Sequence, residues 1–87
     1  MRESEIEQHL VHCAKRAGGE ARKVKWIGRR GAPDRVVMWD CRIMWVELKA
    51  PGEKLQPHQA REHARMLKMG QRVVVIDSFE GVEALFL

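Results

Sequence analysis

GAPDRVVMWDCRIMWVELK, Gly31 to Lys49, is the stretch whose reading decides the fold. Two runs rich in β-branched and aromatic residues, Arg35–Trp39 and Arg42–Leu48, flank Asp40-Cys41, which the pattern predicts as a two-residue hairpin turn. Across such a turn, facing residues have numbers that sum to 81: Trp39 meets Arg42, Met38 meets Ile43, Val36 meets Trp45, and Asp34 meets Glu47. Two carboxylates then stand opposite one another with Cβ atoms about 4.5–5.5 Å apart, an arrangement that destabilises a sheet unless something neutralises it. The strand period of two turns Lys49 to the same face as Glu47. A hard divalent cation is the natural neutraliser of paired carboxylates, and magnesium typically takes one or two of them together with water and phosphate oxygens. A lysine beside it can stabilise charge on a phosphate or orient the attacking water. Acid, acid and lysine around a metal make a hydrolytic phosphodiester site. Taken singly, Asp34 is also an ordinary turn residue after Pro33, and Glu47 and Lys49 ordinary strand-end charges.

Outward from the hairpin, Ile6, Leu10, Cys13, Ala14 and Ala17 recur at intervals of three and four before Gly18-Gly19, predicting a helix over 3–17. Ala21–Ile27, where Val24 and Trp26 alternate with Lys23 and Lys25, reads as a strand with one wet face. Gly28–Pro33 is a loop carrying Arg29 and Arg30, and a second polar loop includes Lys54. Pro57 suits the first position of a helix over 57–69, with a stripe at Ala60, His63, Ala64 and Leu67. Gln71–Asp77 is nearly continuous in apolar residues and reads as a central strand, and Ser78–Leu87 as a short helix capped by Ser78. The order is αβββαβα in one domain spanning 1–87. Trp39 and Trp45 fall on opposite faces by parity, so both faces of the hairpin are apolar.

The chain has 87 residues and a net charge of +4, which favours a polyanionic partner. A chain this short buries only about 60% of its unfolded surface, so dimerisation would support it. No apolar run approaches the roughly 18 residues of a membrane span, and the charged N-terminus does not resemble a signal peptide, so no membrane role is expected. Cys13 and Cys41 have no zinc-ligand spacing and read as free thiols of a reducing compartment. His58 and His63 are assigned to the surface and the buried edge of the second helix, not to ligation.

Gly31-x-Pro33-Asp34, the apolar hairpin, Glu47-x-Lys49 and Pro57-x-Gln59 together resemble the VRR-NUC (virus-type replication-repair nuclease) branch of the PD-(D/E)xK nucleases. The match spans nearly the whole chain. It implies an α/β restriction-endonuclease-like core, αβββαβα, with a mixed central sheet flanked by helices. It further implies metal ligation by Asp34, Glu47 and the main-chain carbonyl of Leu48, with Lys49 as the catalytic lysine. Family members also carry an acid on the first helix. Helical geometry leaves Glu3 and Glu7 facing the sheet and Glu5 pointing away, and Glu3 is preferred because the acid tends to lie three residues before the leading aliphatic, here Ile6. Gln59 would contact the site or the DNA backbone, or serve as a capping partner. The chain departs from the pattern at Gln56, where many relatives carry Ser or Thr, better N-caps. Arg29 and Arg30 would meet phosphates beside the cut, with Lys23, Lys25 and Lys54 extending the track.

The resulting expectation is a Mg²⁺- or Mn²⁺-dependent DNA endonuclease of bacterial or phage-infected cytoplasm. The resemblance adds Holliday-junction resolution, DNA repair and a homodimer. Flap or restriction-type cleavage on the same fold, and a non-catalytic basic DNA-binding module, are the alternatives.

Overall fold

The hairpin turn is two residues long. In the computed structural model, which describes all residues 1–87, Asp40 (φ 48°) and Cys41 (φ 59°) both lie in the left-handed region. Two such residues in succession make a type I′ turn, whose twist matches that of the strands it joins. β2 (Arg35–Trp39) and β3 (Arg42–Leu48) therefore pair antiparallel with Trp39 opposite Arg42, Met38 opposite Ile43, Val36 opposite Trp45 and Arg35 opposite Val46, the expected register. Neither turn residue is glycine, so each bears a conformational cost that Asn-Gly avoids. Asp40→Asn combined with Cys41→Gly should raise stability by about 1 kcal/mol, read as a higher urea midpoint at unchanged slope. An unchanged or lower midpoint would count against the turn assignment.

β1 is Glu20–Lys23 and pairs antiparallel with β2, from Glu20 opposite Met38 to Lys23 opposite Arg35. It is earlier and shorter than the strand expected over 21–27. One further bond, from Val24 N–H to the Asp34 carbonyl (2.9 Å), extends the pairing. Beyond it the side chain of Trp26 decides the path: its indole donates to the Pro33 carbonyl (2.8 Å) and packs against Trp45 with ring centroids 5.2 Å apart.

β4 (Val73–Ile76) runs parallel to β3, Trp45 opposite Val73 through Leu48 opposite Ile76, so the mixed sheet has the order β1-β2-β3-β4. This strand is an edge, not the central strand that its apolar run suggests. Ile76 is buried while Val75 is 40% exposed. An apolar run reports that both faces of a strand are at least partly covered; it says nothing about neighbours along the hydrogen-bonding direction.

α1 (Glu3–Arg16) and α3 (Phe79–Leu85) cover one face, where Ile6, Leu10, Ala14 and Val82 close on Val37, Trp39, Val46, Leu48 and Ile76. Ser78 caps α3 by accepting from the Gly81 N–H (2.9 Å), and Phe86 meets Trp39 edge-on at 5.0 Å. α2 (Pro57–Lys68) lies on the opposite face. Its buried residues are Glu62, His63 and Met66; of the expected stripe only His63 is buried, and Leu67 is 54% exposed. Asp34, Glu47 and Lys49 lie on the face that α2 covers, so the helix turns hydrogen-bonding groups rather than alanine towards it. No helix is long and apolar enough to cross a membrane, and both cysteines are free.

Candidate active site

Because β3 alternates, Val46 and Leu48 enter the apolar layer while Glu47 and then Lys49 face α2. Continuing the observed register by one residue sets Asp34 opposite Glu47. Glu47 and Lys49 are only 8% and 9% exposed, unusual for charged side chains, and Lys49 makes no ion pair within 4 Å. The Glu47 carboxylate is held from α2. Gln59 Nε2 donates to its Oε2 at 3.5 Å, and His63 Nε2 lies 3.6 Å from its Oε1. Gln59 also caps α2, its Oε1 accepting the Gln56 N–H at 2.9 Å.

The electrostatics follow from this crowding. Burial and then the Asp34 charge push the Glu47 pKa up to about 7, against the opposing pull of Lys49; Glu3 adds to the rise and Arg35 counters it. The His63 pKa is lowered, chiefly by burial, and the ring's Nε2 is buried with no hydrogen-bond partner. Burial first, and the neighbouring Asp34 second, thus keep this carboxyl partly protonated at neutral pH beside a neutral imidazole.

The sequence pattern marks Arg35 only as the first residue of β2. It is 8% exposed, pairs with the Asp34 Oδ2 at 2.9 Å and with Glu7, and donates to the Asp34 carbonyl at 3.3 Å. Its signal was available: by parity, the first residue of an otherwise apolar strand points into the α1 face, where a charge demands a partner. This contact separates the two helix-1 acids. Glu7 is engaged by Arg35, whereas the exposed Glu3 is within electrostatic reach of Glu47.

The main chain contributes as well. Trp39 and Arg42 flank the two-residue turn, so alternate pairs back from it, including Arg35 with Val46, exchange ladder bonds. The next such pair would be Pro33 with Leu48, and Pro33 has no N–H to give. The Leu48 carbonyl is thereby left without its ladder donor, next to Glu47. Asp34, Glu47 and this carbonyl form a set of hard oxygen donors with surplus negative charge, the chemistry that Mg²⁺ or Mn²⁺ takes. No group of three or more His, Cys, Asp or Glu side chains is gathered for a metal, so such an ion would depend on the carbonyl and on water or phosphate oxygens. Gly31 brings the preceding loop onto α2: at φ +88° it approaches so closely that a Cβ there would lie 2.6 Å from the His58 carbonyl oxygen.

The basic residues divide. Lys23, Lys25 and Arg29 line, with Asp34, a surface depression of about 450 Å³. Arg29 also reaches the buried Glu62 at 3.5 Å, which Arg65 holds at 2.7 Å. Arg30 is exposed close enough to α2 for its charge to act on His58. Lys54 is exposed in the loop before α2 and lines none of the surface depressions.

No protein-family model matches the chain. "Putative nuclease p44" of Acyrthosiphon pisum secondary endosymbiont phage 1 is 51% identical over 79 residues, which cover 90% of this chain and 85% of that protein. A solved structure described as a "VRR_NUC domain" superposes with a TM-score of 0.86 at 38% identity, over 95% of this chain and 91% of the other.

Proposed function

The chain belongs to the VRR-NUC family, and from that premise we propose that it is a metal-dependent DNA endonuclease, acting as one domain over residues 1–87. The observation that carries this reading is Glu47: a buried carboxyl opposite Asp34 and beside an unpaired buried lysine, its pKa lifted to about 7. Asp34, Glu47 and the Leu48 carbonyl would hold Mg²⁺ or Mn²⁺. Such an ion, when bound, would polarise the scissile phosphate and acidify a water.

The chain's own groups do the rest. Lys49 is placed to orient that water and to offset charge gathering on the phosphorus oxygens. Gln59 fixes the orientation of Glu47, and Glu3 adds negative charge at the margin of the site. Lys23, Lys25, Arg29 and Arg30 would bind flanking phosphates, with Lys54 at the periphery. A module this small presents one site, so a homodimer that cuts two strands of a four-way junction during DNA repair is the economical form. The phage relative supports action in the cytoplasm of a bacterial or phage-infected cell.

The test is incubation with Mg²⁺ or Mn²⁺ and labelled four-way junctions, flaps, splayed arms and duplexes. Paired symmetric cuts in junctions are expected, alongside a dimer by solution mass. Preferential cutting of flaps would reassign the substrate and leave the chemistry, whereas no metal-dependent cleavage of any substrate would refute the reading.

A further inference from the structure

The hydrolysis described above leaves unused a groove that leads away from Asp34. Three adjoining depressions share Arg29. The first, about 450 Å³, holds Asp34 with Lys23 and Lys25. The second, about 310 Å³, has Trp26 and Trp45 in its wall with Gln71 beside them. The third, about 280 Å³, carries Arg65 and Lys68.

The two indoles are half-buried, 5.2 Å apart and tilted by 50°. Each N–H is already used: Trp26 Nε1 donates to the Pro33 carbonyl, and Trp45 Nε1 donates to Gln71 Oε1 at 3.1 Å. What remains on offer is aromatic surface, joined through Arg29 to the depression that holds Asp34, Lys23 and Lys25; on its other side stand Lys68 and Arg65, with Arg29 and Arg65 both engaging the buried Glu62. We infer that this Trp26–Trp45 pocket receives an unstacked nucleobase from the strand whose phosphates lie along Lys23, Lys25 and Arg29.

Aromatic faces accept any base, whereas a base inside a duplex is stacked on its neighbours and cannot reach them. The volume suits one base, and the flanking charges suit its two phosphates. The DNA taken there must offer an unpaired nucleotide next to the cut, which a four-way junction does only where its exchange point opens. This selection rests on the nuclease reading, but binding in the pocket can be measured without it.

Binding is followed by tryptophan emission in EDTA, where no metal-dependent cleavage occurs, using dT10 and an abasic decamer of equal charge. The wild-type protein should bind dT10 roughly 5–100-fold more tightly, the contribution of a stacked base, with quenching of the emission. Trp45→Leu should remove the preference while leaving affinity for the abasic decamer within about twofold, and Trp45→Phe should retain most of it. Equal affinity of the wild-type protein for the two oligonucleotides overturns the inference, as does an equal loss on both in Trp45→Leu. The wild-type comparison decides alone if the leucine variant does not fold. A base preference without cleavage on any substrate would sink the nuclease reading and leave the pocket standing; cleavage without a base preference does the reverse.

Discussion

Glu47→Ala and Glu47→Gln should each lower the rate of metal-dependent cleavage by on the order of 10³ or more while DNA affinity is kept or improved. The two readouts move apart because the carboxylate serves the metal and repels the phosphate. Removing it withdraws a ligand from the reaction and a negative charge from the binding surface. Glu47→Gln is the cleaner variant, since a carboxamide of the same shape can stay between Gln59 and His63. Asp34→Ala should have the same outcome but also leaves Arg35 with Glu7 as its only carboxylate partner, so part of its effect will be structural. Lys49→Ala should cost about 10²–10³ in rate with little change in metal affinity. Cleavage rates within tenfold of wild type for Glu47→Gln at saturating metal would show that the site lies elsewhere.

Stability should depend on pH through the same residue, and the sign is unusual for an acid. In the native protein without metal, burial and Asp34 push the Glu47 pKa up to about 7, against the ordinary 4.5 of a glutamate in an unfolded chain. Between these values the native state holds more protons than the unfolded one, so stability falls as pH rises through that window. Its contribution is intact below about pH 4.5 and fully lost above about 7. The shift corresponds to about 3 kcal/mol. Glu47→Gln carries no such penalty. At pH 8 without metal it should be more stable than wild type by up to that amount, and the two should converge near pH 5. Adding Mg²⁺ or Mn²⁺ should reverse the order at pH 8, because only the ionised wild type supplies the ligand. Below pH 7, metal affinity should drop about tenfold per pH unit. Urea titrations from pH 5 to 8 on both proteins test this; parallel stability curves would rule it out.

The hairpin was legible because its turn has two residues and its strands alternate, so counting placed Asp34 against Glu47 and Lys49 on their side. No comparable arithmetic governs the elements around it. The end of β1 is set by Trp26, whose indole finds the Pro33 carbonyl and Trp45, a long-range preference that a pattern of alternating lysines does not carry. The edge position of β4 was hidden because hydrophobicity records covered faces and not paired edges. The rotation of α2 departs from its apolar stripe for a related reason: alanine and leucine mark a core-facing stripe only where the opposing surface is apolar, and here the opposing surface contains Glu47. Arg35 is the clearest omission. A buried arginine becomes intelligible only once Asp34 and Glu7 are seen on either side of it.

The alternation of β3 has a consequence for descent. From Met44 onward its even positions enter the apolar layer while Glu47 faces α2, so one inserted or deleted residue between Arg42 and Val46 exchanges the two faces unless a bulge absorbs it. Such a change would spoil the interior and the chemistry in one event, and no later point substitution restores either. The segment 24–33 is itself pinned by the Trp26 indole on the Pro33 carbonyl and by the approach of Gly31 to α2, so the hairpin behaves as a ruler whose gradations cannot be altered.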